Sequence, residues 1–166
     1  MSDLNAAVRN DINADFDAAL NKIKHCLSQL TMEQVWWRPA PSMNSIGNLL
    51  LHLAGNVRQW IVCGVGNVAS DRQRQSEFDE RGPLPTDELL AKLESVMAEA
   101  QETVRGVADD DLLRERRVQG HEVTALQAAL HALTHFHGHT QEIVSFTRLQ
   151  LGDDYQFDFV PTPEQA

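Results

Sequence analysis

The sequence predicts an all-α protein, a four-helix bundle with short helices in its connections. The first observation is the spacing of apolar residues, which recur at three- and four-residue steps in four long segments, as on amphipathic helices. The second is a pair of capping-box patterns, Thr31-Met-Glu-Gln34 and Thr124-Ala-Leu-Gln127, which mark helix starts. The third is that no segment shows a convincing strand alternation, so the four helices are expected to pack on one another.

Length and charge limit the domain organisation and the partners. With 166 residues the chain can bury a core in one domain, and we expect a single domain over 1–166, with a helical core over about 3–152 and an extended tail over 153–166. The net charge of −10 argues against a nucleic-acid partner, because binding a phosphate backbone usually needs a basic face.

The expected location is the cytoplasm. The chain has no run of 18 apolar residues, and its first residues lack a signal-peptide pattern, so no membrane association is expected. Cys26 and Cys63 lie on separate predicted helices, and their spacing indicates neither a disulfide framework nor a C-x-x-C redox site. We expect two buried thiols in a reducing compartment.

The first two long helices are predicted over residues 3–30 and from Asn44 or Ser45 to Cys63, where glycines end the second. Between them the first capping box predicts a short helical turn that carries Trp36 and Trp37. We expect both tryptophans to plug the end of the bundle; a lid over a pocket is the alternative.

The connector over residues 67–85 is rich in charges and turn formers and is expected to be a solvated loop with local ion pairs. In the alternative interpretation, Arg72 and Arg74 receive an anionic substrate at the mouth of a pocket. Thr86 is the predicted N-cap of the third helix, which contains no histidine or cysteine and is therefore expected to be scaffold. A polar connector over residues 114–123 follows, with some extended chain.

The last long helix, predicted over residues 124–151 and ended by Gly152, carries the residues that suggest a function. His131, His135 and His139 recur at every fourth position, so successive imidazoles are rotated by only about 40° and share one side of the helix. Two imidazoles at i and i+4 can direct their nitrogens at a single ion, which is why H-x-x-x-H on a helix is typical of a metal site.

Two helical ligands are too few for a tight metal site, and the best candidate for a third is His52 on the second helix. Judged from its own segment, His52 is a surface or boundary histidine. Asn56 and Gln59 follow it along the helix and are candidates for substrate binding. Glu142 comes three residues after His139 and can act as an extra ligand, as a partner of a ligand or as a proton acceptor.

These stretches carry a resemblance to a known family. Residues 44–60 resemble the second helix of the DinB/YfiT-like superfamily of metal-binding four-helix bundles, and residues 135–143 resemble its fourth-helix motif, H-F-x-x-H-T-G-Q-I. Residues 31–39 and 72–78 are similar to one branch of that superfamily, a group of small uncharacterised bacterial proteins.

The resemblance implies the metal ligands. In the family one histidine of the second helix and the two of H-x-x-x-H bind a divalent metal, which corresponds here to His52, His135 and His139. One departure is that the family's Gly-Gln after the last histidine is Gln141-Glu142 in this chain. A carboxylate at this point changes the charge near the metal and could alter the ligand set or the reaction, or it is structural.

Three neutral imidazoles leave an open coordination position, the arrangement of a catalytic metal site. Zinc or nickel is the expected ion, with iron(II) and manganese as alternatives. Such an ion lowers the pKa of bound water to about 7 or binds a thiol as thiolate. The resemblance implies the second use, in which a low-molecular-weight thiol is activated for S-transfer or isomerisation.

The leading hypothesis is therefore a metal-dependent, thiol S-transferase-like enzyme in which Glu142, His131 and Asn56 orient groups or move protons. One alternative is a metal-dependent hydrolase with Glu142 as general base, and the other is a non-enzymatic metal-binding bundle. The expected partner is a small-molecule substrate, and the resemblance also implies a homodimer.

Overall fold

The computed structural model of the protein describes residues 2–160 and 162. Within them the fold is a helix bundle with one small β-hairpin. The helices are α1 Ser2–Leu27, α2 Met32–Trp36, α3 Ile46–Val57, α4 Arg74–Asp79, α5 Thr86–Gly106 and α6 Ala125–Leu151. The antiparallel hairpin consists of β1 Glu115–Val118 and β2 His121–Thr124. Shorter segments are a π-helix at Arg58–Val65, which continues α3, and 3-10 turns at Asp109–Asp111 and Gly152–Asp154.

The core lies between the four long helices, as the apolar spacing predicts. Helix α1 packs on α6 and α5, and α3 with its π-helical continuation packs on α5 and α6. Phe16 of α1 meets Phe136 of α6 edge to face, with ring centroids 5.5 Å apart, and both rings are fully buried. The predicted all-α bundle with short connecting helices is confirmed.

The helix ends follow from local chemistry. Both predicted capping boxes are present, since the hydroxyls of Thr31 and Thr124 accept from the N–H groups of Gln34 and Gln127, whose side chains bond back to the cap N–H groups. Gly152 ends α6 with φ 58°, a backbone conformation that glycine adopts without strain.

The β-hairpin was not predicted, since no segment shows a convincing strand alternation in the sequence. The 114–123 connector is extended, as expected in part, but it forms two paired strands of four residues each. Gln119 and Gly120 make the turn with φ 51° and 84°, the left-handed values that a two-residue hairpin favours. Strands this short give too few alternating positions for a period of two to be visible in the sequence.

The prediction for the C-terminal part of the second long helix is also wrong. The α-helix ends at Val57, and a π-helix continues to Val65. The wider turn changes the direction of every side chain after Val57, including those of Gln59 and Trp60. A period of 3.6 residues cannot reveal this change, and π-helical turns occur frequently at functional sites.

Three smaller predictions are corrected. Thr86 is the first residue of α5 rather than its N-cap, since the cap is Pro85 and the Thr86 hydroxyl has no hydrogen-bond partner among the described residues. The 67–85 connector contains α4 and is not simply a solvated loop. Trp37 is 38% exposed and plugs nothing, whereas Trp36 is half-buried and donates from Nε1 to the Leu84 carbonyl at 3.0 Å.

The described part of the C-terminal tail begins with a 3-10 turn and then contacts α1 near His25. Tyr155 is buried against His25, and the Gln156 carbonyl lies 2.6 Å from His25 Nε2. Residues 161 and 163–166 of the predicted tail lie outside the described residues. Cys26 and Cys63 are both buried free thiols, as expected. Across the described helices, none combines the length and the apolar character needed to cross a membrane.

Replacing Thr124 by alanine is expected to lower the free energy of unfolding by about 1 kcal/mol, because α6 loses the side-chain acceptor of its capping box. The matched change Thr86→Ala is expected to cost clearly less, since the Thr86 hydroxyl accepts from no helix N–H. Urea unfolding of the two variants beside the unmodified chain measures both values. Equal losses would contradict this assignment of the two helix starts.

Candidate metal centre

Three histidines from two helices converge at one point of the bundle. His52 of α3 and His135 and His139 of α6 each bring one ring nitrogen to within 4.8 Å of the others. The Nε2 atoms of His52 and His135 are 2.9 Å apart, and the ring centroids of His135 and His139 are separated by 4.5 Å. His52 is only 3% exposed, whereas the two histidines of α6 are half-buried at the surface of the site.

The imidazole of His52 is held by a buried ion pair behind it. Its Nδ1 lies 2.9 Å from Glu77 Oε2, and Arg72 donates from Nε to Glu77 Oε1 at 2.6 Å and from Nη2 to Oε2 at 2.7 Å. An ionised carboxylate can only accept hydrogen bonds, so the contact with Glu77 places the proton on Nδ1 of His52. Arg72 Nη2 also lies 3.1 Å from Nδ1, but its shorter contact, at 2.7 Å, is the bond that it donates to Glu77 Oε2. The lone pair of His52 is therefore on Nε2, which faces the other two histidines.

His139 is also held by a carboxylate, but here the carboxylate comes from the same helix. Its Nδ1 lies 2.8 Å from Oε2 of Glu142, three residues further along α6. The carboxylate again accepts the Nδ1 proton and leaves Nε2 as the unprotonated nitrogen. Glu142 thus contacts a candidate ligand directly, which is one of the three roles expected for it.

Burial keeps the imidazoles of His52 and His135 neutral. It lowers the pKa of His52, and the hydrogen bond from His52 to Glu77 only partly opposes this effect. Burial, together with the nearby charges of His139 and His52, lowers the pKa of His135 to about 4. Burial alone would raise the pKa of Glu77, but hydrogen bonds from Arg72 and His52 outweigh it and the pKa is lowered overall. Near neutral pH the site therefore combines neutral imidazoles at His52 and His135 with the ionised carboxylate of Glu77.

The residues fit a divalent metal ion. Two nitrogens bound to one tetrahedral zinc ion lie roughly 3.3 Å apart, close to the separation of Nε2 in His52 and His135. Carboxylates take the other ring nitrogen of His52 and His139, as is usual for metal-binding histidines. A shallow recess of about 410 Å³ opens in front of His135 and His139. The three-histidine cluster could therefore hold a metal ion on a side that a substrate can reach.

The four residues predicted to bind substrate differ in how deeply they are buried. Asn56 is buried, and its Oδ1 has no hydrogen-bond partner among the described residues. Gln59 Oε1 accepts from Arg72 Nη1 at 2.9 Å and also from Gln119 Nε2 at the hairpin turn. Arg74 is exposed, with its guanidinium over the Phe78 ring. A role in substrate binding for Asn56, Gln59, Arg72 and Arg74 stays a prediction.

His131 is exposed and lies beside the cluster rather than in it. Its ring stacks on Trp60 with centroids 3.9 Å apart and is parallel to the ring of His135 at 6.1 Å. It also lines the recess in front of His135 and His139. His131 therefore lines a pocket, and its role in proton transfer stays a prediction.

The positions of Glu77 behind His52 and of Trp60 beside His131 were not predicted from the sequence. Glu77 lies in a run of charges, and only its contact with a histidine 25 positions earlier in the chain distinguishes it from its neighbours. One available signal was Gly55, a glycine inside a helix three residues after His52. A methyl group at Gly55 would overlap with Glu77 Oε1, so the glycine makes room for the ion pair.

The comparisons with known proteins agree with this fold. A family model described as the DinB superfamily matches residues 15–143, and the chain belongs to that superfamily. A solved structure of a conserved protein from Enterococcus faecalis is 16% identical, with a TM-score of 0.74 over 87% of this chain and 97% of that chain. A DinB-like protein from Bacillus cereus is also 16% identical, with a TM-score of 0.65 over 84% of this chain and 90% of that chain. These two likenesses establish the fold alone, and no functionally curated protein matches the sequence.

The Gly55→Ala change is expected to displace the Glu77 carboxylate and so to weaken zinc binding by roughly 10- to 100-fold, the usual effect of losing the partner of a metal-binding histidine. Gly138→Ala is the matched control. Gly138 also lies inside a helix, but a methyl group added there meets no atom within 4 Å. It is expected to keep the zinc affinity and to stabilise α6 by about 0.5–1 kcal/mol.

Zinc titration against a competing chelator, followed by urea unfolding, measures both effects. Unchanged zinc affinity in Gly55→Ala would contradict the role given to the Arg72–Glu77 pair.

Proposed function

We propose that this protein is a divalent-metal-dependent enzyme of the thiol S-transferase-like kind, in which His52, His135 and His139 hold the ion. The convergence of three imidazoles beside an open recess is the observation that supports it most strongly. Zinc or nickel is the proposed metal, since imidazole suits both; iron(II) and manganese are the alternatives. The choice of a thiol comes from the family resemblance rather than from the local chemistry.

When bound, a divalent ion supplies Lewis-acid activation of a thiol, which it holds in its thiolate form. Glu77 and Glu142 orient two of the three imidazoles by accepting their Nδ1 protons. Because neutral imidazoles bring no negative charge, a divalent ion held by them would keep its full positive charge and would favour an anionic sulfur over a neutral thiol.

Glu142 is also the proposed proton acceptor. Its Oε2 is engaged with His139, but no hydrogen bond from the described residues reaches its Oε1. The side chain is partly exposed on the same recess, so Oε1 can take the proton that an incoming thiol loses. His131, one turn before His135 and exposed, can pass a proton to solvent.

The same free oxygen supports a second candidate function, metal-dependent hydrolysis with Glu142 as general base. A hydrolase would turn over an ester or amide without an added thiol, which separates the two reactions. In both cases the substrate is a small molecule. The homodimer implied by the resemblance stays a prediction.

Metal content and thiol reactivity together test the proposal. The unmodified chain, a His52→Ala/His135→Ala double variant and the control His131→Ala are purified without chelator, reconstituted with zinc, nickel or iron(II) and analysed by mass spectrometry. We expect about one metal ion per chain in the unmodified protein and in His131→Ala, and almost none in the double variant. The loaded protein is then mixed with a panel of small thiols and a thiol-reactive electrophile.

We expect a metal-dependent acceleration of sulfur transfer that chelation and the double variant both abolish. Turnover of esters in the absence of thiol would instead establish the hydrolase. If the unmodified chain takes up no metal after reconstitution, both enzymatic functions are wrong and the chain is a bundle without a metal-dependent activity.

A further inference from the structure

A second recess lies between the β-hairpin and α6, next to the metal centre. Its volume is about 490 Å³, within the range of small-molecule sites. Trp60 of the π-helix forms one wall, His121 and Glu122 of β2 form another, and Gln119 lies at the hairpin turn. We call this recess the hairpin groove. None of these residues has a role in holding the metal.

The hairpin groove adjoins the recess in front of His135 and His139. His131 lines both the groove and the recess in front of His135 and His139. Its ring lies on Trp60 on one side and parallel to His135 on the other. His131 therefore lies between the groove and the candidate metal position.

The indole of Trp60 lacks a partner for its N–H. Trp60 is 4% exposed, and its Nε1 makes no hydrogen bond to any described residue. By contrast, Nε1 of Trp36 donates to the Leu84 carbonyl at 3.0 Å. A buried donor without an acceptor costs about 1–3 kcal/mol, and buried tryptophans usually find a partner. Because Nε1 is itself buried, a small shift of the side chains that cover it would let a carbonyl or hydroxyl oxygen of a ligand in the groove supply the missing acceptor.

The charges around the groove disfavour an anionic ligand body. Glu122 lines the groove and Glu142 lines the recess beside it, while neither lysine nor arginine is among the described residues that line them. Arg117 pairs with Glu122 across the hairpin, but no ion pair joins them and Arg117 lines a different recess. The net charge of −10 acts in the same direction.

We propose that the hairpin groove is the subsite for the organic body of the thiol, and that it takes a neutral or cationic molecule whose amide oxygen accepts a hydrogen bond from Trp60 Nε1. The sulfur then lies at the metal end, past His131. This inference rests on the proposed function for the thiol, whereas the groove and its unpaired N–H do not depend on it. Gln119 fixes the groove's outer edge, because its Nε2 donates to Gln59 Oε1.

The test uses the indole N–H signals of the zinc-loaded, ¹⁵N-labelled full chain. N-acetylcysteamine, a neutral amide thiol, is titrated in parallel with N-acetylcysteine, which adds a carboxylate. We expect the Trp60 cross-peak, assigned by its loss in Trp60→Phe, to move with N-acetylcysteamine. The Trp36 cross-peak is expected to stay in place, because its N–H already has an acceptor. N-acetylcysteine is expected to bind at least tenfold more weakly.

Two variants test the hydrogen bond and the charge separately. Trp60→Phe keeps an aromatic ring under His131 but removes the N–H, and we expect it to weaken N-acetylcysteamine binding by roughly 3- to 10-fold, the value of one hydrogen bond. Glu122→Gln is expected to strengthen N-acetylcysteine binding. Glu115→Gln, on the other strand and outside the groove, is expected to change nothing.

The cobalt-loaded protein separates this inference from the proposed function, because a thiol that reaches the metal produces a sulfur-to-cobalt absorption band. A band of equal strength in the unmodified chain and in Trp60→Phe, with no movement of the Trp60 cross-peak, would overturn the subsite and leave the thiol function intact. Movement of the Trp60 cross-peak without any cobalt band would support the subsite and overturn the thiol function. Equal affinity for both probes in the unmodified chain and in Glu122→Gln would overturn the charge selectivity.

Discussion

The buried ion pair between Arg72 and Glu77 is the interaction on which the candidate site depends. The two side chains are 6% and 10% exposed, and the guanidinium contacts both carboxylate oxygens. One of those oxygens also bonds to His52, so the pair sets the orientation and the protonated nitrogen of the deepest histidine. Loss of either partner would leave a buried charge uncompensated, which typically costs 3–5 kcal/mol. Asn48 strengthens the same connection, because its Nδ2 donates to the carbonyls of Glu77 and Glu80 and ties the end of α4 to α3.

The two halves of the site are positioned in different ways, one by a single helix and the other by contacts between distant parts of the chain. On α6 the helix itself places His135, His139 and Glu142 on adjoining faces, at spacings of four and three residues. On α3 the position of His52 depends on a connector that folds back over the helix, close enough that Gly55 has no room for a side chain. The change from α- to π-helix after Val57 then brings the following side chains toward the hairpin. This is how one surface of the bundle comes to hold both a histidine cluster and an adjoining groove.

The parts that could be predicted are those that depend on local periodicity. The four long helices, the caps at Thr31 and Thr124 and the grouping of His135 with His139 all follow from spacings of three or four residues. His52 was found through the need for a third ligand and through the family resemblance, since its own segment indicated a boundary position. Glu77 was missed because its role exists only after the connector folds onto α3. The π-helix and the hairpin were missed because neither leaves a clear periodic pattern in a segment of its length.

The most direct test of this account is the protonation of the His52 ring, measured by long-range ¹H–¹⁵N correlation of the imidazole nitrogens in metal-free protein. We predict that His52 carries its proton on Nδ1 near neutral pH, with Nε2 unprotonated, and that Glu77→Gln removes this preference. A proton on Nε2 of His52 in the unmodified chain would contradict the account, because Glu77 would then not accept the Nδ1 proton by which it is argued to orient the His52 ring.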